Sequence, residues 1–351
     1  MKKICVVCVG FASLISGNLY AQDSTRSVNF SGFIDGYYRF TPSENGSTNN
    51  YTSFTNTQNS FAFNMASLRA DITAFNNKVA GTIDLGVGTR AKEFSYNESG
   101  VEQTIKQAYI SYIPNDKVKL TAGKFATHVG YELVDAPLNK NYSMSYMFTN
   151  GPFFHTGVKA DFTLGKVGLM VGVANYTDQL ISTTSTRTAL AQLSTKTADA
   201  KFSFYLNYVG FFGSENGKNP SGQKSVNQLD LVVLGSLAEK LSIGYNGTVQ
   251  FKKPVVGDGE SWNGNALYLT YQAKPTVGLS YRAELINDDK LIQFGSKNIF
   301  ANTLSLNLSA HGFSLIPEIR YDNAKTAIFK DKDGSAKKGA FSALIAAIYK
   351  F

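Results

Sequence analysis

The chain ends Phe341-Ser-Ala-Leu-Ile-Ala-Ala-Ile-Tyr-Lys-Phe351, and every second position of that stretch is apolar or aromatic: Phe341, Ala343, Ile345, Ala347, Tyr349 and Phe351. A period of two belongs to a β-strand, whose side chains alternate between faces. A strand with one face in lipid and the other toward a lumen needs an apolar side and an aromatic residue at the interface. The stretch therefore reads as the last strand of an outer-membrane β-barrel.

The other end of the chain agrees. Met1 to Ala21 has Lys2 and Lys3, an apolar segment from Ile4 to about Ile15, then small and polar residues, the three parts of an export signal with cleavage expected after Ala21. The expected organisation is a signal peptide over 1–21 and one barrel domain over 22–351. No run approaches the roughly 20 apolar residues that a membrane-spanning helix needs. Cys5 and Cys8 both lie inside the signal, so the mature chain carries no thiol for a disulfide, a thiolate metal site or cysteine catalysis. Removing Lys2 and Lys3 lowers the formal charge from +8 to +6, and without a contiguous Lys/Arg run there is no nucleic-acid patch.

From Ser27 onward, strands of about ten residues alternate with short and long polar connections. The clearest strand is Leu241 to Phe251, where Leu241, Ile243, Tyr245, Gly247, Val249 and Phe251 alternate with Ser242, Gly244, Asn246, Thr248 and Gln250. Similar alternation recurs at Val277 to Leu285, Leu304 to Leu308 and Phe202 to Tyr208. Soluble sandwich strands average five or six residues, so strand length favours a membrane barrel. The short connections include Asn76 to Lys78, Gly165 to Lys166 and Ala310 to Gly312; the long ones include Thr41 to Thr57, Ala91 to Glu102, His128 to Pro152 and Gly213 to Lys224. Short and long keep alternating only if Thr186 to Leu193 is also a strand, which brings the expected fold to an all-β, antiparallel up-and-down transmembrane barrel of about sixteen strands. The strand over Lys117 to Thr127 slips its alternation at Gly123, which reads as a bulge. Eight strands fill their own interior, whereas sixteen leave an aqueous channel.

Several segments resemble the OmpL-like β-barrel porin family of bacterial outer membranes: Gly32-Phe-Ile-Asp-Gly-Tyr-Tyr38, Gln107-Ala-Tyr-Ile-Ser-Tyr112, Leu120-Thr-Ala-Gly-Lys-Phe-Ala-Thr127, His155-Thr-Gly-Val-Lys-Ala160 and Pro317-Glu-Ile-Arg-Tyr-Asp322. The resemblance covers most of the mature chain. It implies passive transport of small hydrophilic solutes across an outer membrane, with no cofactor and no settled set of binding residues. It also implies that Tyr349 and Phe351 are read by the barrel-assembly machinery. Homotrimers are common among sixteen-stranded porins, and the sequence leaves that assembly open.

Assigning each strand's polar face to the lumen gives basic lining candidates Arg69, Lys106, Lys124, Lys159, Lys201, Arg282 and Arg320. The acidic ones are Asp71, Asp84, Asp161, Asp230, Glu284, Glu318 and Asp322, so the signs balance and weak ion selectivity is expected. Several of these charges are neighbours on one strand face, and for any single residue the reading as a pair that stabilises the inner wall is the stronger one. The long connection after Gly130 contains Asp135-Ala-Pro-Leu-Asn-Lys-Asn-Tyr-Ser-Met-Ser-Tyr146. It is either a surface loop or a constriction folded into the barrel; in the second case Glu132, Asp135, Lys140 and Tyr142 set selectivity. Two other functions have their own sequence requirements. A substrate-specific channel would show an aromatic track, for which only Tyr109 and Tyr205 face inward. A barrel hydrolase would need His155 beside Asp135 or Ser143; the sequence has no nucleophile elbow, zinc-binding pair or phosphate loop, so no enzyme is expected.

Overall fold

Alternating side chains oblige each strand of this chain to find two neighbours and two environments, and a closed sheet provides both while leaving no unpaired edge. The computed structural model describes residues 26–43, 48–212 and 222–351. The expected signal peptide lies outside the described residues, as does most of the connection Gly213 to Lys224.

The barrel strands are β1 (Ser27–Phe40), β2 (Ser60–Ala74), β3 (Val79–Val87), β4 (Ile105–Asn115), β5 (Val118–Ala126), β6 (Phe154–Leu164), β7 (Val167–Ala174) and β8 (Arg187–Lys196). They continue with β9 (Phe202–Phe212), β10 (Gln223–Ala238), β11 (Leu241–Pro254), β12 (Glu260–Lys274), β13 (Val277–Asn287), β14 (Asn298–Ala310), β15 (Phe313–Ala324) and β16 (Gly339–Lys350). Each pairs antiparallel with its sequence neighbours, and β1 closes on β16 to make sixteen. The expected strand over Thr186 to Leu193 is β8. A small ribbon, Phe329–Lys330 with Ala336–Lys337, decorates the last long connection.

At the seam Phe33 faces Lys350 and Phe40 faces Ala343. Phe351 extends the ladder by one rung, its amide donating to Gly32 O at 3.0 Å and its carbonyl accepting from Gly32 N at 3.1 Å. The terminal residue thus contributes to barrel closure. The outward face carries Ile34, Leu68, Ile83, Ile110, Leu206 and Leu229 at mid-wall. Exposed aromatics mark both rims: Phe40, Phe61, Phe251, Phe300 and Phe341 at the long-loop end, and Phe30, Tyr112, Tyr271, Phe313 and Tyr349 at the short-turn end. That is an apolar band between two aromatic girdles.

Turn chemistry holds the short end. His311 and Gly312, at φ 50° and 82°, make a two-residue link between Ala310 and Phe313. Two consecutive positive φ values match the right-handed twist of a hairpin. Gly123 departs from the expected bulge: the register runs unbroken through it, opposite Tyr109 on one side and Gly157 on the other. Its irregularity is conformational, at φ 130°, where a Cβ would stand 2.3 Å from Ala108 O. Glycine is needed because the neighbouring backbone leaves no room for a side chain. Register shifts do occur nearby, where Lys106 is the extra residue between two rungs of β3 and β4.

Candidate functional site

The connection from β5 to β6, residues 127–153, enters the barrel and crosses it. Every residue from Asn141 to Phe148 is buried, as are Glu132, Val134 and Ala136. A loop taken from water must satisfy its backbone groups some other way. Here the barrel wall supplies the partners, largely through charged side chains that sequence reading placed on the inner face.

The strand carboxylates accept loop amides. Glu318 takes Tyr142 N at 2.7 Å and Ser143 N at 3.1 Å, Glu284 takes Tyr146 N at 2.8 Å, and Asp230 takes Gly130 N at 3.0 Å. The strand guanidiniums donate to loop carbonyls. Arg282 Nη1 lies 2.6 Å from Ser143 O and Nη2 lies 3.2 Å from Met144 O, which also accepts from Arg320 Nη1 at 2.9 Å. These charged groups neutralise one another in a chain: Glu132–Arg282 at 2.6 Å, Arg282–Glu284 at 2.8 Å, Glu284–Arg320 at 3.3 Å and Arg320–Asp322 at 2.7 Å. Tyr146 completes the chain by donating its hydroxyl to Asp322 at 2.9 Å. Pairing plus hydrogen bonding makes buried charge tolerable.

A second mooring lies across the barrel. Lys106 Nζ is 2.6 Å from Asp135 and 3.0 Å from Asp84. The Tyr142 hydroxyl donates to Asp35 and accepts from Asn64 Nδ2 at 2.8 Å. Arg90, buried between the rings of Phe54 and Tyr142, donates to Val134 O at 2.9 Å and Tyr142 O at 3.3 Å. Apolar contacts fill the rest. Leu344, Ala346 and Ile348 of β16 meet Ala136 and Tyr142, while Val129 packs with Phe125, Met170, Leu190 and Val209.

The other candidates take different positions. Arg69 with Asp71, 2.7 Å apart, and Lys159 with Asp161, 3.2 Å apart, remain partly exposed below the loop. Lys140 is exposed, though its carbonyl accepts from Asn307 Nδ2 at 3.0 Å. Lys124 is enclosed by the rings of Phe94 and Phe154 and donates to Ile105 O at 2.6 Å and Ser95 Oγ at 3.0 Å, a support for the neighbouring loop. Lys201 is exposed at the turn before β9, 3.8 Å from Asp199. Sequence reading placed Met144 and Tyr146 in the candidate loop without a role for either, and it did not find Arg90 or Met147. The apolar run on the inner face of β16 was the available signal, since side chains facing open water would not need to be Leu, Ala and Ile.

The consequence is an inner wall covered all the way round. Each of the sixteen strands carries at least one inward side chain no more than 8% exposed, from Asp35 on β1 through Asp84, Lys106, Phe125, His155, Ala174, Leu190, Asp230 and Arg282 to Leu344 on β16. Wider spaces lie on either side. At the long-loop end there is a cavity of about 310 Å³ beside Thr149 and Asn150; at the short-turn end another of about 320 Å³ lies beneath Pro137 and Lys140.

Known structures share this architecture. OmpT of Vibrio cholerae, in a trimer form, superposes with a TM-score of 0.61 at 12% identity, covering 93% of this chain and 100% of that one. The outer membrane channel DcaP of Acinetobacter baumannii gives 0.61 at 14% identity over 95% and 99%. An anion-selective porin from Comamonas acidovorans gives 0.62 at 10% identity over 93% and 100%. At these identities the likeness is one of fold. No curated protein matches the chain in sequence. A family description does, "Putative beta-barrel porin-2, OmpL-like", and it spans residues 27–351. With that match over nearly the whole chain, on a closed sixteen-stranded barrel, the chain belongs to the OmpL-like β-barrel porin family and is an outer-membrane porin, a channel for passive diffusion.

Proposed function

We propose that residues 127–153 set the exclusion limit of this porin, so that it passes only small hydrophilic solutes. The observation that carries the reading is the ring of inward side chains, each no more than 8% exposed, where the loop meets the wall. In this reading Glu132, Asp135 and Tyr142 hold the constriction, Lys140 faces the solute, and Asp84, Lys106, Asp230, Arg282, Glu284, Glu318 and Arg320 fix the loop. Arg69, Asp71, Lys159 and Asp161 line the wider part of the path. Their paired charges favour weak ion selectivity, because each local field is largely cancelled by its neighbour.

No enzymatic role is proposed. His155 Nε2 lies 3.4 Å from Thr127 Oγ1, while Asp135 is paired with Lys106 and the Ser143 hydroxyl accepts from Arg282 Nη2 at 3.4 Å. A hydrolytic arrangement of His155 with either residue is therefore not assembled. We further propose export with removal of residues 1–21, recognition of Tyr349 and Phe351 by the assembly machinery, and a homotrimer like the trimer form of OmpT. The family match begins at residue 27, beyond that segment. Liposome swelling with neutral solutes of graded size tests the constriction: rates falling steeply between the smallest solutes support it, and equal rates across the series contradict it.

A further inference from the structure

The cavity at the long-loop end is lined by oriented carboxamides and hydroxyls. Its floor holds Gln228 and Gln250, both buried, in a directed series: Trp262 Nε1 donates to Gln250 Oε1 at 3.1 Å, Gln250 Nε2 to Gln228 Oε1 at 3.2 Å, and Gln228 Nε2 to Thr248 Oγ1 at 2.9 Å. A carboxamide has two N–H donors and two acceptor lone pairs. These bonds use one N–H and one lone pair of each glutamine and fix the orientation of the remainder. Beside them Thr188 is 1% exposed, and its Oγ1 is buried without a hydrogen-bond partner. A buried hydroxyl left unmade costs about 1–3 kcal/mol, so a polar group that reaches it, from a solute or from water, is favoured. Tyr176 and Phe211 add an aromatic corner, ring centroids 5.0 Å apart and tilted by 59°.

Charge is present in this cavity but already engaged. Asp178 accepts Phe153 N at 2.7 Å, Phe154 N at 2.9 Å and Tyr96 OH at 3.2 Å. Lys252 donates to Gln293 and feels the carboxylates of Asp288 and Glu260. An ionic solute would find only Lys252, whose charge those two carboxylates partly offset. Oriented amides suit a molecule that alternates donor and acceptor hydroxyls, and aromatic faces suit its C–H surfaces. The volume, about 310 Å³, is at the lower end of small-molecule sites.

We propose that this chamber is a binding site for an uncharged polyhydroxylated solute of mono- to disaccharide size, held at the mouth before it crosses the constriction. The proposal rests on the chain being a porin, yet binding can be read without conduction. Trp262 is the sole tryptophan of the chain and is bonded to Gln250, so its emission reports on the chamber floor. The experiment titrates the refolded full-length mature barrel in detergent with glucose and with sucrose, followed by Trp262 emission and calorimetry, with sodium gluconate as the charged control. Saturable binding of a neutral sugar, tighter than that of gluconate, is expected. Thr188→Val should weaken it about threefold to tenfold, the worth of one hydrogen bond, while the unfolding midpoint stays level or rises because an unpartnered hydroxyl has been removed. Absence of saturable binding, gluconate binding as tightly, or undiminished affinity in Thr188→Val overturns the proposal. Bilayer conductance on the same preparation reports separately on the porin.

Discussion

Replacing Arg282 by Met removes the most heavily used cation of the crossing while keeping a long apolar side chain of similar reach. In the native protein this guanidinium pairs with Glu132 and Glu284 and donates to the carbonyls of Ser143 and Met144 and to Thr303 Oγ1. After substitution Glu284 keeps Arg320 at 3.3 Å, but Glu132 retains only loop partners such as Ser145 N at 2.7 Å. Removing one partner of a buried ion pair costs about 3–5 kcal/mol, because the other charge is left in a dry site. The ladder around the barrel is untouched, so the cost falls on docking of the loop. About 3–5 kcal/mol corresponds to roughly two to three and a half powers of ten in the equilibrium between docked and undocked loop. Single-channel recording in a planar bilayer should then show larger or noisier steps than the parent, with heat-modifiable mobility in gels retained. Adding Glu132→Leu removes the stranded charge, so the double variant should lose less docking than the sum of the single changes. Unchanged conductance in Arg282→Met, or strict additivity with Glu132→Leu, would refute the mooring.

Other consequences follow from the same geometry. Deleting Phe351 removes a rung and the two seam hydrogen bonds with Gly32, so less folded barrel should reach the membrane; undiminished heat-modifiable material would count against that role. Gly123→Ala places a methyl 2.3 Å from Ala108 O at φ 130°, and should lower the urea midpoint of unfolding by an amount worth about 2 kcal/mol or more; an unchanged midpoint would show that the backbone relaxes. Asp178, in the connection between β7 and β8, has its carboxyl pushed up by burial to about 6, although the amides of Phe154 and Phe153, Tyr96 OH and Lys124 pull the other way. Its docked state therefore binds more protons than a solvated carboxylate between pH ~4 and ~6. That contribution to docking is fully present below that window and is lost as pH rises through about 6, so current should increase over the interval and Asp178→Asn should flatten the increase. An identical pH profile in wild type and variant would remove Asp178 from the account. Reversal potentials in a salt gradient should stay close to zero, since Arg69 with Asp71 and Lys159 with Asp161 present both signs to the path; a strongly anion- or cation-selective current would contradict that assignment.

The barrel was legible because bilayer physics writes it into local pattern. A strand between lipid and lumen must alternate, and a closed up-and-down sheet must alternate short turns with long loops; together these located β8 despite its weak signal. The same-face pairs Arg282 with Glu284 and Arg320 with Asp322 were legible for the same reason, since residues two apart lie side by side on a strand. The crossing of the loop was not, because its partners are remote: Tyr142 meets Glu318 and Tyr146 meets Asp322, each 176 residues away. Nothing in the period of a loop encodes such contacts. The inner face of β16 did carry a hint, for Leu344, Ala346 and Ile348 make that strand apolar on both sides, as strands covered on both faces are. Gly123 shows the opposite limit, a slip in alternation whose cause was backbone crowding rather than an inserted residue.

The constriction itself is tested most directly by recording single-channel conductance of the mature chain beside a variant lacking residues 135–146, both shown to be folded by heat-modifiable mobility. Removing that segment takes away the Lys106–Asp135 pair, the Tyr142 and Tyr146 anchors and the carbonyls held by Arg282 and Arg320. A several-fold larger conductance with admission of larger neutral solutes is the predicted result. Equal conductance and an equal solute cut-off would place the constriction elsewhere and contradict the account.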